Sequence, residues 1–191
     1  VTPDVLVPRP ETETLVDAIL KENLQGKTLL ELGTGSGAIS ISIAQENKDC
    51  FIFATDISIK SILVAKQNAA KFCCENIIFL NHDWNNEWLF PQVDYLISNP
   101  PYVDKEATSG KEEGIWHEPE IALFSKDKGL SDLKLILTKG KNFLNENGKV
   151  YLEHAPDQYE ELNKFAMENG YLNFSNLNDL MGDKRVSIYQ C

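Results

Sequence analysis

The chain has 191 residues, 42% hydrophobic and 25% charged, a composition that suits one globular domain with a sizeable core. Its 29 acidic and 18 basic residues give a net charge of -11, which argues against a nucleic-acid surface, because phosphate backbones are bound by clustered Lys and Arg. No run approaches the roughly 20 apolar residues of a membrane span, no basic-then-apolar leader opens the sequence, and Cys50, Cys73, Cys74 and Cys191 lack CxxC or Cys/His ligand spacing. The expectation is a cytoplasmic protein with reduced thiols, no metal and no membrane contact.

Val1-Thr2-Pro3 reads as though cut from a longer chain. Leu15, Val16, Ile19 and Leu20 recur at helical spacing after Pro8 and Pro10, which predicts a helix over about Glu11 to Asn23. A strand follows at Thr28 to Leu32, then Gly33-Thr34-Gly35-Ser36-Gly37 and a helix over Ser36 to Glu46. Phe51 to Thr55 reads as a strand ending at Asp56, and Ser58 to Phe72 as a helix. Ile77 to Leu80 and Tyr95 to Ser98 read as further strands, followed by a long loop rich in Gly, Glu and Lys. A helix from about Leu130 to Asn145 is expected to turn at Asn147-Gly148 into the strand Lys149 to Glu153. A helix over Asp157 to Glu168 and strands over Leu172 to Asn176 and Arg185 to Tyr189 complete the chain. Strands alternating with helices predict a doubly wound, mostly parallel, seven-stranded sheet of Rossmann-like form, spanning 1–191 as one domain. Such sheets bind ligands at the carboxyl ends of their strands.

Two stretches at such ends carry chemistry. Alternate glycines after the first strand let backbone come close to a ligand, and the next helix offers free N–H groups. Asp56 stands about where a ribose-binding carboxylate is expected. A tight turn with a capping acid is the competing reading. Gly33, Gly35 and Ala38 also fit G-x-G-x-x-G/A, so the loop alone leaves NAD open. Glu31 leans the other way, because a carboxylate there suits an ammonium and repels a pyrophosphate. Asp83 can accept from an adenine amino group and Trp84 can stack on its ring, against the plainer reading of Trp84 as core. S-adenosylmethionine is therefore the expected cofactor.

The second stretch is Asn99-Pro100-Pro101-Tyr102. Each Pro fixes its own φ and pushes the preceding residue out of the helical region. Asn99 and Pro100 are thereby stiffened with an amide oxygen and a carbonyl on offer, and Tyr102 beside them. Together with Glu31, Gly33, Gly35, Gly37, Asp56 and Asp83-Trp84, this stretch resembles S-adenosylmethionine-dependent methyltransferases acting on an sp² amino nitrogen.

Further segments narrow the resemblance. Val7-Pro8-Arg9-Pro10-Glu11-Thr12-Glu13, Glu118-Pro119 with Ala122-Leu123, Leu152-Glu153 and Asp179 through Arg185 are similar to the HemK/PrmC family, the peptide chain release factor glutamine methyltransferases. The resemblance covers essentially the whole chain. It implies N5-methylation of the Gln in the Gly-Gly-Gln motif of release factors, with the release factor as protein partner. It also implies cofactor contacts from Gly33 through Gly37, Asp56, Trp84 and Asn99, and substrate contacts from Asn99, Pro100, Pro101 and Tyr102. Glu31 and Asp83 join the cofactor set on chemical grounds. Ala155 stands where the family more often has Gly, and the family's small N-terminal helical domain is expected to precede this chain. A DNA or RNA amino-methyltransferase with the same Asn-Pro-Pro-Tyr site is the alternative. A cofactor-fold binding module without catalysis ranks below it, because the cofactor and target-amine elements are both unbroken. No general base is evident; His82, His117 and His154 read as surface or structural.

Overall fold

Nearly continuous apolar runs, as in Leu29 to Leu32 and Tyr95 to Ile97, mark strands buried on both faces. A computed structural model describes residues 1–104 and 119–191. Its strands are β1 (Thr28–Leu32), β2 (Phe51–Asp56), β3 (Ile77–Asn81), β4 (Val93–Ser98), β5 (Val103–Asp104), β6 (Phe124–Ser125), β7 (Leu144–Glu153), β8 (Asn173–Asn178) and β9 (Lys184–Gln190). Seven form one sheet in the order β3-β2-β1-β4-β7-β9-β8, while β5 and β6 pair separately. Pairings from β3 through β7 are parallel, and β9 runs antiparallel to both β7 and β8.

The helices are α1 (Glu13–Leu20), α2 (Ala38–Glu46), α3 (Ile59–Lys71), α4 (Ser131–Gly140) and α5 (Tyr159–Glu168). Alternate strand residues face opposite layers, as the pleat requires. Leu29, Ile97 and Tyr151 pack with Leu15 of α1, Ile43 of α2 and Ile62 of α3. Leu30, Leu96, Val150 and Leu152 pack with Leu133 and Ile136 of α4 and Leu162 of α5. From β1 the order runs outward through β2 and β3, then reverses to β4 on its other side. The last β1–β4 pair is Leu32 with Ser98, and Ser98 Oγ donates to the Leu32 carbonyl at 2.8 Å. The glycine loop and Asn99 therefore leave the sheet side by side, at its topological switch point.

Several boundaries depart from expectation. The helix expected over Leu130 to Asn145 ends at Gly140 and tightens into a 3-10 turn over Lys141–Phe143. Asn147-Gly148 is a bulge inside β7: pairing jumps from Val93–Leu144 to Tyr95–Lys149, with Asn147 at φ 63°. Asn tolerates left-handed backbone, so the same dipeptide serves a bulge as readily as a turn. The first helix opens as a 3-10 turn over Pro10–Thr12 and stops at Leu20. The short β5–β6 pair had no sequence signal. Most of the loop after Tyr102, including His117 and Glu118, lies outside the described residues. Ala155 has no positive φ, so Ala causes no strain where the family favours Gly. All four cysteines are free, and among the described residues no helix is long and apolar enough to cross a membrane.

Candidate active site

The loop after β1 turns through three left-handed residues, Gly33 at φ 74°, Gly35 at 54° and Gly37 at 82°. A Cβ on Gly33 would meet the Trp84 ring at 3.2 Å, and one on Gly37 would meet Ile41 at 2.9 Å, so both positions combine a strained φ with lack of space. Glu31 secures the loop from beneath. Its Oε2 accepts from the hydroxyls of Thr34, at 2.7 Å, and Ser40. Its Oε1 is buried without a hydrogen-bond partner. Burial raises the Glu31 pKa to about 7, against the opposing effect of the two hydroxyls. Asp56 at the end of β2 accepts from the N–H of Gly35 at 2.9 Å and of Ser58 at 2.8 Å. Burial raises its pKa, and those N–H groups counter the rise.

Gly33, Gly35, Asp56, Trp84, Asn99 and Pro101 line one cavity. Trp84 also packs on the α4–α5 side of the core, so wall and core readings both hold. Its indole Nε1 donates to Asp132 Oδ1 at 3.1 Å, and its carbonyl accepts from Lys139 Nζ at 2.8 Å. Thr34 and Ser36 line an adjoining cavity with Gly33, Gly35 and Asn99. Glu31, Gly37 and Asp83 are absent from the described walls of both. Asp83 Oδ1 accepts from the Asn85 N–H and Nδ2, each at 2.8 Å. A short acid just past a strand is readily claimed by such a local turn. Gly37 instead begins α2 against Ala65.

A separate cavity is lined by Arg9, Glu11, Asn99, Pro100, Tyr102 and Arg185, among others. Asn99 thus stands between this cavity and the glycine-loop cavity, with Pro100 facing one and Pro101 the other. Asn99 Nδ2 donates to Thr12 Oγ1 at 3.2 Å. The Tyr102 hydroxyl donates to Glu153 Oε1 at 3.0 Å, and its backbone carbonyl accepts from Gln158 Nε2 at 2.9 Å. Burial and then the Glu153 charge push the Tyr102 pKa up. Glu153 is fully buried at the end of β7, and its Oε2 lacks a hydrogen-bond partner. Burial raises its pKa, while Thr12, Tyr102 and Arg185 favour its charged form.

Several residues around this site carried no individual sequence signal. Val5 and Leu6 line the glycine-loop cavity, and Lys60 Nζ pairs with Asp4 beside them at 2.9 Å. Thr12, Glu153 and Arg185 lay in recognisable segments, but only the fold brings them to Asn99 and Tyr102. Arg185 is held by Asp179, which accepts from its Nε at 3.2 Å. His82 lies outside both principal cavities, and buried His154 bonds Ser187 Oγ at 2.7 Å.

Residues 10–118 match the family model described as the methyltransferase small domain. A release factor glutamine methyltransferase of Coxiella burnetii is 38% identical over 98% of this chain and 68% of its own length. The Escherichia coli protein of the same description is 33% identical over the same shares of both chains. Among solved structures, a methyltransferase from Pyrococcus furiosus superposes with a TM-score of 0.72 at 22% identity, covering all of this chain and 86% of its own.

Proposed function

This chain belongs to the release factor glutamine methyltransferase family, and we propose that it transfers a methyl group from S-adenosylmethionine to a release-factor glutamine. The acceptor would be the side-chain amide nitrogen of the Gln in the Gly-Gly-Gln motif. The observation that carries this reading is the position of Asn99, a residue that lines two cavities at once. One has features of a nucleoside site and the other is walled by Pro100 and Tyr102.

The residues suit the cofactor. Glu31 Oε1 is a buried acceptor without a partner, which fits an ammonium. Trp84 puts an aromatic ring in the cavity wall beside Gly33, where a purine could stack, and Asp56 keeps lone pairs for ribose hydroxyls. When bound, S-adenosylmethionine supplies an electrophilic methyl on a sulfonium sulfur.

An amide nitrogen is a weak nucleophile because its lone pair is delocalised into the carbonyl. Asn99 Oδ1 and the Pro100 carbonyl would accept from its two N–H groups, fixing the plane of the amide. The same acceptors favour the positive charge that grows on nitrogen as the methyl arrives. Their stiffness matters, because acceptors already in place need no reorganisation during the reaction. Tyr102, held by Glu153 and Gln158, would cover the amide and exclude water.

A protein partner fits the net charge of -11 better than nucleic acid does, and action on a translation factor fits the cytoplasm. Incubating the chain with methyl-labelled S-adenosylmethionine and either a bacterial release factor or DNA and RNA tests the reading. Label is expected in the release factor only. Label in nucleic acid and none in the release factor would move the activity to the alternative class sharing the Asn-Pro-Pro-Tyr site.

A further inference from the structure

Trp84 lies between β3 and β4 on a stretch with no helix or strand of its own. A ring on such a loop gives a purine a ready surface only if something outside the loop holds it. Otherwise the ordering of ring and loop is charged against binding. Helix α4 supplies two holds.

Asp132 and Lys139 stand seven positions apart on α4, two turns along one side and about 10 Å apart along its axis. Asp132 Oδ1 accepts from Trp84 Nε1 at 3.1 Å. Lys139 Nζ donates to the successive carbonyls of Trp84, Asn85 and Asn86, each at 2.8 Å. An ammonium has three N–H donors, and this arrangement employs all of them. Lys139 Nζ also lies 6.0 Å from the centre of the Trp88 ring, and Trp88 Nε1 donates to the Trp84 carbonyl at 2.9 Å. The far edge of the Trp84 indole lies against Gly33, where a Cβ would come within 3.2 Å of Cζ3. The indole is thus fixed at its N–H, at its six-membered edge and through its own backbone. With the N–H taken by Asp132, the ring has only its carbon surface to offer a ligand. Neither Asp132 nor Lys139 lines the glycine-loop cavity, so their influence on a ligand there runs through Trp84.

We propose that Asp132 and Lys139 are positioning residues for the cofactor: they hold the Trp84 ring as a preformed stacking surface for the purine and thereby set nucleoside affinity. This rests on the reading of the glycine-loop cavity as the nucleoside site.

Three variants separate the contributions. Asp132→Leu removes the acceptor, Asp132→Asn keeps one in its amide oxygen, and Lys139→Met keeps the stem without the ammonium. Asn85 and Asn86 are exposed, so water can take over their carbonyls in Lys139→Met and the fold survives the change. Isothermal titration with S-adenosylhomocysteine should give a Kd raised about five- to thirtyfold in Asp132→Leu and in Lys139→Met, and near wild type in Asp132→Asn. The kcat at saturating S-adenosylmethionine should fall much less than affinity does. Trp84→Phe keeps an aromatic ring without the N–H, so in that background Asp132→Leu should add no further loss. Unchanged Kd in Asp132→Leu and Lys139→Met would overturn the proposal. So would an Asp132→Asn variant as weak as Asp132→Leu, an undiminished loss in the Trp84→Phe background, or a fall in kcat that matches the fall in affinity. Should S-adenosylhomocysteine not bind the wild type, the cofactor reading fails, and the hold on Trp84 is judged from its indole N–H resonance, identified as the signal absent from Trp84→Phe. That resonance should move in Asp132→Leu and keep its place in Asp132→Asn, and one indifferent to Asp132→Leu would refute the hold.

Discussion

At the scale of single residues, the site separates into groups that touch the two cavities and groups that hold them. Asn99 belongs to the first kind. Asn99→Ala should reduce turnover by about a hundredfold or more while the Kd for S-adenosylmethionine changes only a few-fold. Isothermal titration beside steady-state kinetics reads both quantities, and equal losses would reduce Asn99 to a cofactor contact. Glu31 belongs to the second kind, and its ionisation has a predictable sign. Burial raises its pKa from 4.5 to about 7, so the folded, ligand-free chain binds a proton that the unfolded chain has released. The associated stability is fully present below pH 4.5 and is lost as pH rises through 7, an effect of about 3 kcal/mol by linkage. Urea unfolding across this range should show a smaller loss in Glu31→Gln than in the wild type, the remainder coming from Asp56 and Glu153, whose pKa values burial also raises. Because an ammonium favours the carboxylate, S-adenosylmethionine affinity should also rise through the same window in wild type alone. The sequence made Asn99 and Glu31 conspicuous through neighbouring prolines and glycines. It gave no comparable mark to Thr12 or Glu153, whose roles arise from contacts between distant segments.

At the scale of elements, the β1–β4 pairing does most to assemble the site. Leu32 and Ser98 end their strands together, so two motifs 66 positions apart emerge as neighbours. This much was legible, because periodicity and loop chemistry mark strands, glycine turns and the switch between them. The Asn147-Gly148 bulge was not legible as such, since the residues that tolerate a turn also tolerate an inserted residue within a strand. For Asp83, sequence shows a carboxylate but not the neighbouring Asn85 amide from which one of its oxygens accepts. Gly129 shows how a connection outside the motifs supports them. Its φ is 82°, and a Cβ there would overlap the Tyr102 carbonyl and crowd Gln158 Nε2 at 2.6 Å. Gly129→Ala should therefore displace the Tyr102 backbone and lower stability by about 1–3 kcal/mol, with activity falling further than cofactor affinity. Thermal unfolding and kinetics on the same variant check this, and a variant with wild-type turnover would contradict the support assigned to Gly129.

At the scale of the whole molecule, the two cavities meet at Leu6, Asn99 and Ala122, and each should be ligandable by itself. S-adenosylmethionine should raise the Tm in a concentration-dependent way by mass action, and NAD should not. The glycine pattern permits either nucleotide, so this comparison tests the weight placed on Glu31 and Trp84. The central claim is that the Asn99–Tyr102 wall presents a glutamine amide to the methyl donor. Its most direct measurement is mass spectrometry of the Gly-Gly-Gln peptide from a release factor treated with the chain and S-adenosylmethionine. The account predicts one added methyl on the glutamine side-chain nitrogen with wild type and almost none with Asn99→Ala. An unmodified glutamine with wild type, or equal methylation by both proteins, would contradict it.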